Sequence, residues 1–343
     1  MAERFVCVRV QSMNGVNIEL FQFDYDLTWM AFFMDSGDRF YARYGGRNDD
    51  GPESYLSKES LVRTMREALR LHADGQVQTS RYEARGEEPR IPEDIPPMKH
   101  MLARREESCI HCHDVKNATL RHLQDKGEFS KDLIYTYPTP EAVGIHVDRH
   151  VQIRIASVDD DSPVARAGLK PGDQLLQADG QRILTVGDFA RVLELTPLEA
   201  SLPLVYRRDG ETRQTTLELS GNWKRSADPS WRSSTEVSGP NAGFWAAPLG
   251  DEQRRQAGLP ADALALRVTF LFPNHPTPRE AGLKSGDVVI ALDGDRTQRN
   301  MRQFHAYCQL ERDYGDRVPI TILRDGREVQ LTLPLRDRPA WKE

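Results

Sequence analysis

The feature that most constrains this chain is an internal repeat. Ser162-Pro163-Val164-Ala165-Arg166-Ala167-Gly168-Leu169-Lys170-Pro171-Gly172-Asp173 returns as His275-Pro276-Thr277-Pro278-Arg279-Glu280-Ala281-Gly282-Leu283-Lys284-Ser285-Gly286-Asp287. Gly168, Gly172 and Gly180 recur as Gly282, Gly286 and Gly294 at a constant spacing of 114 residues. Solenoid units are shorter than this, so the period marks a duplicated domain in which each copy buries its own core.

Each copy spells the same order of elements. A short helix ends at Ala-Gly-Leu, where glycine suits a left-handed cap. Gly-Asp then opens a strand, residues 174–178 or 288–292, closed by the tight-turn pairs Asp179-Gly180 and Asp293-Gly294. An amphipathic helix follows, marked by Phe189, Val192 and Leu193 in one copy and Met301, Phe304 and Tyr307 in the other. The last hairpin turns at Asp209-Gly210 or Asp325-Gly326 between alternating strands.

This order, with the phrases SPVARAGLKPGDQLLQADG and HPTPREAGLKSGDVVIALDG, resembles the PDZ domains of bacterial exported proteins. The resemblance implies recognition of polypeptide C-termini or extended peptides, which add a strand beside the long helix. Its carboxylate seats would be the loops around Val143, Gly144 and Ile145 and around Gly243, Phe244 and Trp245. The competing reading is a blocked groove: a long stretch separates Gly243 from the next strand near Arg267, and Trp245 could fill the space. No Gly-x-Ser-x-Gly segment accompanies the repeat, so the resemblance does not carry proteolysis, and whether the chain is an enzyme stays open.

In the N-terminal third, Phe5 to Val10 reads as a buried strand, with Cys7 as one of its apolar residues. Residues 29–34 and 39–44 read as a hairpin around Asp35-Ser36-Gly37-Asp38. A helix starting at Ser57 has Leu61, Val62, Met65, Ala68, Leu69 and His72 on one face. FDYDLTWMAFFMDSGDRFYARYGGR resembles the third and fourth strands of thioredoxins. It departs from them at Leu27-Thr28, where they carry a cis-proline, and their first strand and helix would lie upstream of Met1.

Between these parts lies Cys109-Ile110-His111-Cys112-His113. Cys-x-x-Cys-His is the attachment pattern of c-type haem, two thioether sulfurs one helical turn apart followed by the proximal histidine. It assigns Cys109, Cys112 and His113 to haem c, with a second axial or metal ligand from His111, His100, Met98, Met101 or His122. Zinc or copper held by the same cysteines and histidines is a rival reading, and a dithiol or plain disulfide is another.

The expected fold is therefore multidomain α+β: a partial thioredoxin-like α/β domain (1–78), a charged linker and helical Cys-x-x-Cys-His segment (79–138), and two PDZ β-barrel-like domains (139–221 and 241–338). The joining segment 222–240 carries Trp223 and Trp231. This arrangement resembles multidomain thioredoxin/PDZ proteins of environmental bacteria, and the resemblance implies a periplasmic or otherwise extracytoplasmic setting with the signal peptide missing from this chain. The function expected is a peptide-binding adaptor with covalent haem, in electron transfer or redox sensing, working with redox partner proteins. Alternatives are a non-catalytic scaffold with zinc or copper, or a thiol-disulfide oxidoreductase. A net charge of −6 with both signs interspersed argues against a nucleic-acid partner, and no apolar run reaches the ~20 residues of a membrane helix. A homo-oligomer is compatible with the sequence.

Overall fold

A computed structural model describes residues 1–77, 90–104 and 109–336. The chain divides into two compact units, Met1–Arg232 and Ser233–Glu343.

The first unit begins without the expected strand. After a single 3-10 turn, Ala2–Arg4, the chain runs past Cys7 with Val6, Val8 and Val10 in solvent. A valine-rich alternation becomes a strand only where a neighbour supplies ladder hydrogen bonds, and none of the described strands does so here. Strands β1 (Met30–Met34) and β2 (Phe40–Gly45) form the expected hairpin. Its turn is locked by Asp35, whose Oδ1 accepts the Gly37 and Arg39 N–H groups at 2.9 and 3.1 Å. Helix α1 (Lys58–Ala73) starts where the Ser57 side chain accepts the Ser60 N–H, and it buries Ala68 and Leu71 against Phe33, Tyr41 and Tyr44. One hairpin and one helix do not make a thioredoxin-like sheet, and that expectation is corrected.

Helices α2 (Pro96–Ala103) and α3 (Cys112–Asp125) close over Met13, Ile18, Ile95, Met98, Ile110, Val115 and Ala118. A 3-10 turn, Pro140–Val143, then ends at left-handed Gly144 and leads into the first repeat. Strands β3 (Ile145–Val147) and β4 (Ile155–Val158) pair with each other. Helix α4 (Pro163–Arg166) connects them to β5 (Gln174–Ala178), β6 (Gln181–Arg182), helix α5 (Val186–Leu195), β7 (Ala200–Arg208) and β8 (Glu211–Leu219). The second sheet runs β6-β5-β7-β8. Ile145, Ile155, Phe189, Val192 and Leu217 form the core, to which Trp223 belongs, while Trp231 packs on Phe23 and Leu27.

The second unit holds β9 (Phe244–Pro248), α6 (Asp251–Gln256), β10 (Leu266–Leu271), α7 (Thr277–Glu280), β11 (Val288–Leu292), α8 (Met301–Leu310), β12 (Arg317–Arg324) and β13 (Arg327–Pro334). They make one antiparallel sheet in the order β13-β12-β11-β10-β9, with β9 at the edge. The long stretch after Gly243 is thus a strand and a short helix.

The duplication extends to a buried ion pair. Arg208 clasps Asp173 at 2.7 and 2.6 Å and also donates to the Gly168 carbonyl; Arg324 does the same to Asp287 at the same distances and to Gly282. Each carboxylate also accepts a backbone N–H, from Lys170 or Lys284, at 2.8 Å. One bidentate contact thereby ties the last hairpin of each copy to the loop before its central strand.

Candidate functional site

The two grooves expected from the sequence run between β3 and α5 and between β9 and α8. Both loops that open them depend on glycine. Gly144 has φ +85° and Gly243 +78°, and a Cβ at either would strike a neighbour, the Ser162 side chain or the ring of Pro278.

The two helices start alike. Thr185 and Asn300 are the N-caps, and each exchanges hydrogen bonds with the residue three positions on, Asp188 or Gln303. Counting from these caps, Val186 and Ala190 occupy the places of Met301 and His305.

In the second unit His305 crosses to β9. Its Nε2 lies 3.0 Å from the Phe244 carbonyl, and its ring stacks under Trp245 with centroids 5.9 Å apart and planes at 21°. Only 8% of the residue is exposed, and its Nδ1 finds no partner. Burial lowers its pKa to about 4, with His275 adding to the effect, so the ring is neutral and Nε2 carries the proton. Trp245, which the blocked-groove reading had filling this space, lies over His305, stays 43% exposed and opposes Phe270, itself 51% exposed, across the β9–β10 ladder. The second groove therefore has β9 as the edge strand of its sheet among the described residues, an exposed aromatic pair and a histidine bonded to a strand carbonyl.

In the first unit the start of helix α5 is covered by the chain's own N-terminal part. Helix α5 receives β2 end-on: Asp188 Oδ1 accepts the Arg43 N–H at 2.8 Å, and the Thr185 hydroxyl donates to the Arg43 carbonyl. A Cβ on Gly187 would stand 2.6 Å from that same carbonyl, so glycine is required for this approach. Val186, Gly187 and Ala190 line a narrow cleft with Gly45, Gly46, Arg47 and Tyr55. Tyr55 is 3% exposed and donates its hydroxyl to Glu141 of the Pro140–Val143 turn at 2.6 and 2.5 Å, where Asn48 also donates at 3.1 Å. The Tyr55 carbonyl accepts from Gln152 Nε2 at 2.6 Å, while Gln152 Oε1 accepts the Val186 N–H. Burial and then the Glu141 carboxylate push the Tyr55 phenol far above its ordinary pKa, holding it as a donor. The sequence singled out Val143, Gly144 and Ile145, all buried, with Val143 and Ile145 in the core of the domain. Glu141 belongs to the loop the sequence offered as a carboxylate seat, while Tyr55 and Gln152 went unnoticed because the partners that join them lie more than 80 residues away in sequence.

The Cys-x-x-Cys-His segment does not place its two thiols on one helix. Helix α3 starts at Cys112, so Cys109 lies outside it and the two thiols are not one helical turn apart. Met98 is core, Met101 packs beside it, and His100 is exposed on α2. His122 stands nine residues after His113 on the same helix, about 14 Å along its axis. His111, His113 and Asp114 do bring ligand atoms within 4.8 Å of one another, without either cysteine. Asp114 is occupied there as a helix cap, accepting the His111 N–H at 2.9 Å. Cys112 is half-buried and burial raises its pKa, opposite to the activation a redox thiol needs.

Known proteins decide the family of the repeats. Residues 154–208 and 257–335 each match a family model described as PDZ domain. The chain carries two tandem PDZ domains. It is similar to a probable periplasmic serine endoprotease, DegP-like, of Halomonas elongata, 27% identical over 184 residues, which cover 54% of this chain and 37% of that protein. A protein of the same description from Pseudomonas fluorescens is 25% identical over 61% of this chain and 41% of its own length. A do/HhoA-like periplasmic serine protease of Haemophilus influenzae is 25% identical over 50% of this chain and 32% of its own. The chain thus spans about two fifths or less of these relatives. Among solved structures it is similar to the HtrA-type protease AlgW with decapeptide, at 20% identity and a TM-score of 0.26, covering 39% of this chain and 40% of that one.

These relatives overturn the haem-bearing electron-transfer reading. They are named as periplasmic serine endoproteases, neither haem proteins nor thioredoxin-like redox proteins, and the geometry at Cys109, Cys112 and His113 agrees. Haem c, its zinc and copper alternatives, the dithiol role and redox partners are withdrawn with it. The periplasmic setting holds, and no described helix is long and apolar enough to cross a membrane.

Proposed function

We propose that this chain is a periplasmic peptide-binding protein that works through its second PDZ domain, capturing polypeptide ends with apolar side chains. The observation that carries this reading is the pairing of the edge strand β9 with the exposed Trp245 and Phe270 beside α8. An extended peptide laid along β9 would complete the ladder, and the N–H groups around Gly243 and Phe244 would receive its carboxylate. Trp245 and Phe270 project from the β9–β10 face, where alternate side chains of an added strand would reach them. His305 would exchange its bond to the Phe244 carbonyl for contact with the ligand.

Proteolysis is in the names of relatives of which this chain matches about two fifths or less, and it is not part of this reading. The test is binding of a fluorescein-labelled decapeptide ending in Leu-Val to the full chain, read by anisotropy. Micromolar affinity that falls at least tenfold on amidating the peptide's C-terminus supports the proposal. Equal affinity for the free acid and the amide counts against it.

A further inference from the structure

The groove-side positions of helix α5 pack against another part of this chain. In the second domain the residue at the fifth position of the groove helix, His305, reaches the neighbouring strand, which identifies the side of the helix that faces the groove. The same places in the first domain, Val186 and Ala190, face a cleft walled by Gly45, Gly46 and Tyr55. Gly46, at φ +139°, lies close to both walls: a Cβ there would stand 3.0 Å from the Tyr55 ring and 3.5 Å from Val186.

We propose that residues 45–55 are a tethered ligand of the first PDZ domain, with Tyr55 as its anchor. Its hydroxyl holds Glu141 beside the loop where an incoming carboxylate would sit, and its carbonyl takes a hydrogen bond from Gln152, whose Oε1 accepts the Val186 N–H at the start of the helix. A peptide can use the first groove only after this segment leaves. The hydrogen bonds that hold it are those of Asn48 and Tyr55 to Glu141 and of Gln152 to the Tyr55 carbonyl, a set that can part without unfolding the domain. The inference rests on the reading of the repeats as peptide grooves, and it explains why two copies of one domain would present one open site.

Two measurements on the full chain test it. In the first, the Leu-Val decapeptide is titrated against wild type, Tyr55→Ala and Glu141→Gln. Wild type binds one equivalent and Tyr55→Ala two, while Glu141→Gln, which keeps the tyrosine ring, gains a second equivalent at least tenfold weaker than that of Tyr55→Ala. One equivalent for all three variants, each folded by circular dichroism, overturns the proposal. The second measurement needs no ligand, so it judges the inference even if the peptide binds neither groove. Native-state hydrogen exchange should release the amides of residues 45–55 together with those of Val186 and Gly187, well before the β7–β8 ladder. Exchange of all of them only in one global unfolding step overturns it.

Discussion

Trp245 lies over His305 as a stacked pair, 5.9 Å between ring centroids, while the imidazole Nε2 holds the Phe244 carbonyl at 3.0 Å. A histidine buried in the neutral form makes folding depend on pH. With a folded pKa of about 4 against an ordinary 6.5, the unfolded chain binds the proton more tightly between those values. The stability this neutral ring contributes is complete above pH 6.5 and is lost as pH falls towards 4. The loss amounts to about 3 kcal/mol over that window. Thermal unfolding of the second unit should therefore drop between pH 6.5 and 4, and His305→Gln should flatten that drop. An unchanged slope in the variant contradicts the assignment.

Asp287 is buried under Arg324, and its removal strands the guanidinium and the Lys284 N–H together. Asp287→Ala should cost about 2–4 kcal/mol of second-unit stability, measured by urea unfolding. Because the pair recurs at Asp173 and Arg208 in the other unit, Asp173→Ala should destabilise the first unit and leave the second unchanged. Equal effects of each variant on both units would contradict the duplication of this contact.

The four cysteines should sort by exposure when titrated with a thiol reagent at pH 8. Cys7 and Cys109 are exposed and react first; Cys112, half-buried with a raised pKa, follows. Cys308 is sealed in the core of the second unit, where burial raises its pKa to about 12, so it reacts only on unfolding. Cys109→Ser should leave peptide binding within twofold of wild type. Early reaction of Cys308, or loss of peptide binding in Cys109→Ser, would overturn this placement.

What was legible in the sequence was local. The Asp35–Asp38 turn, the helix beginning at Ser57 and both Asp-Gly hairpins came through because their determinants lie within a few residues of one another. Phe5–Val10 failed for the opposite reason: its alternation is genuine, but a strand needs a partner and no local signal provides one. The Cys-x-x-Cys-His motif misled because spacing in sequence was taken as spacing on a helix, while the helix starts only at its second cysteine. The glycines of both grooves were visible from sequence, yet the cover on the first was not. Tyr55 meets Glu141 across 86 residues, and nothing in either neighbourhood announces the contact.

Removing the rim of the open groove should weaken binding without unfolding the chain. Trp245 is 43% exposed and contributes little to the core, so Trp245→Ala should lower affinity for an apolar-ended peptide tenfold or more. Its effect on melting temperature should stay within about 3 °C. Wild-type affinity in this variant would place the ligand elsewhere.

The central claim is that the second groove is the open one, and the most direct measurement is a map of amide protection when the Leu-Val decapeptide saturates the full chain. New protection confined to β9 and the Gly243 loop is the predicted result, with β3 and the Gly144 loop unchanged. Protection appearing at Ile145–Val147 instead, with β9 unaffected, would contradict it.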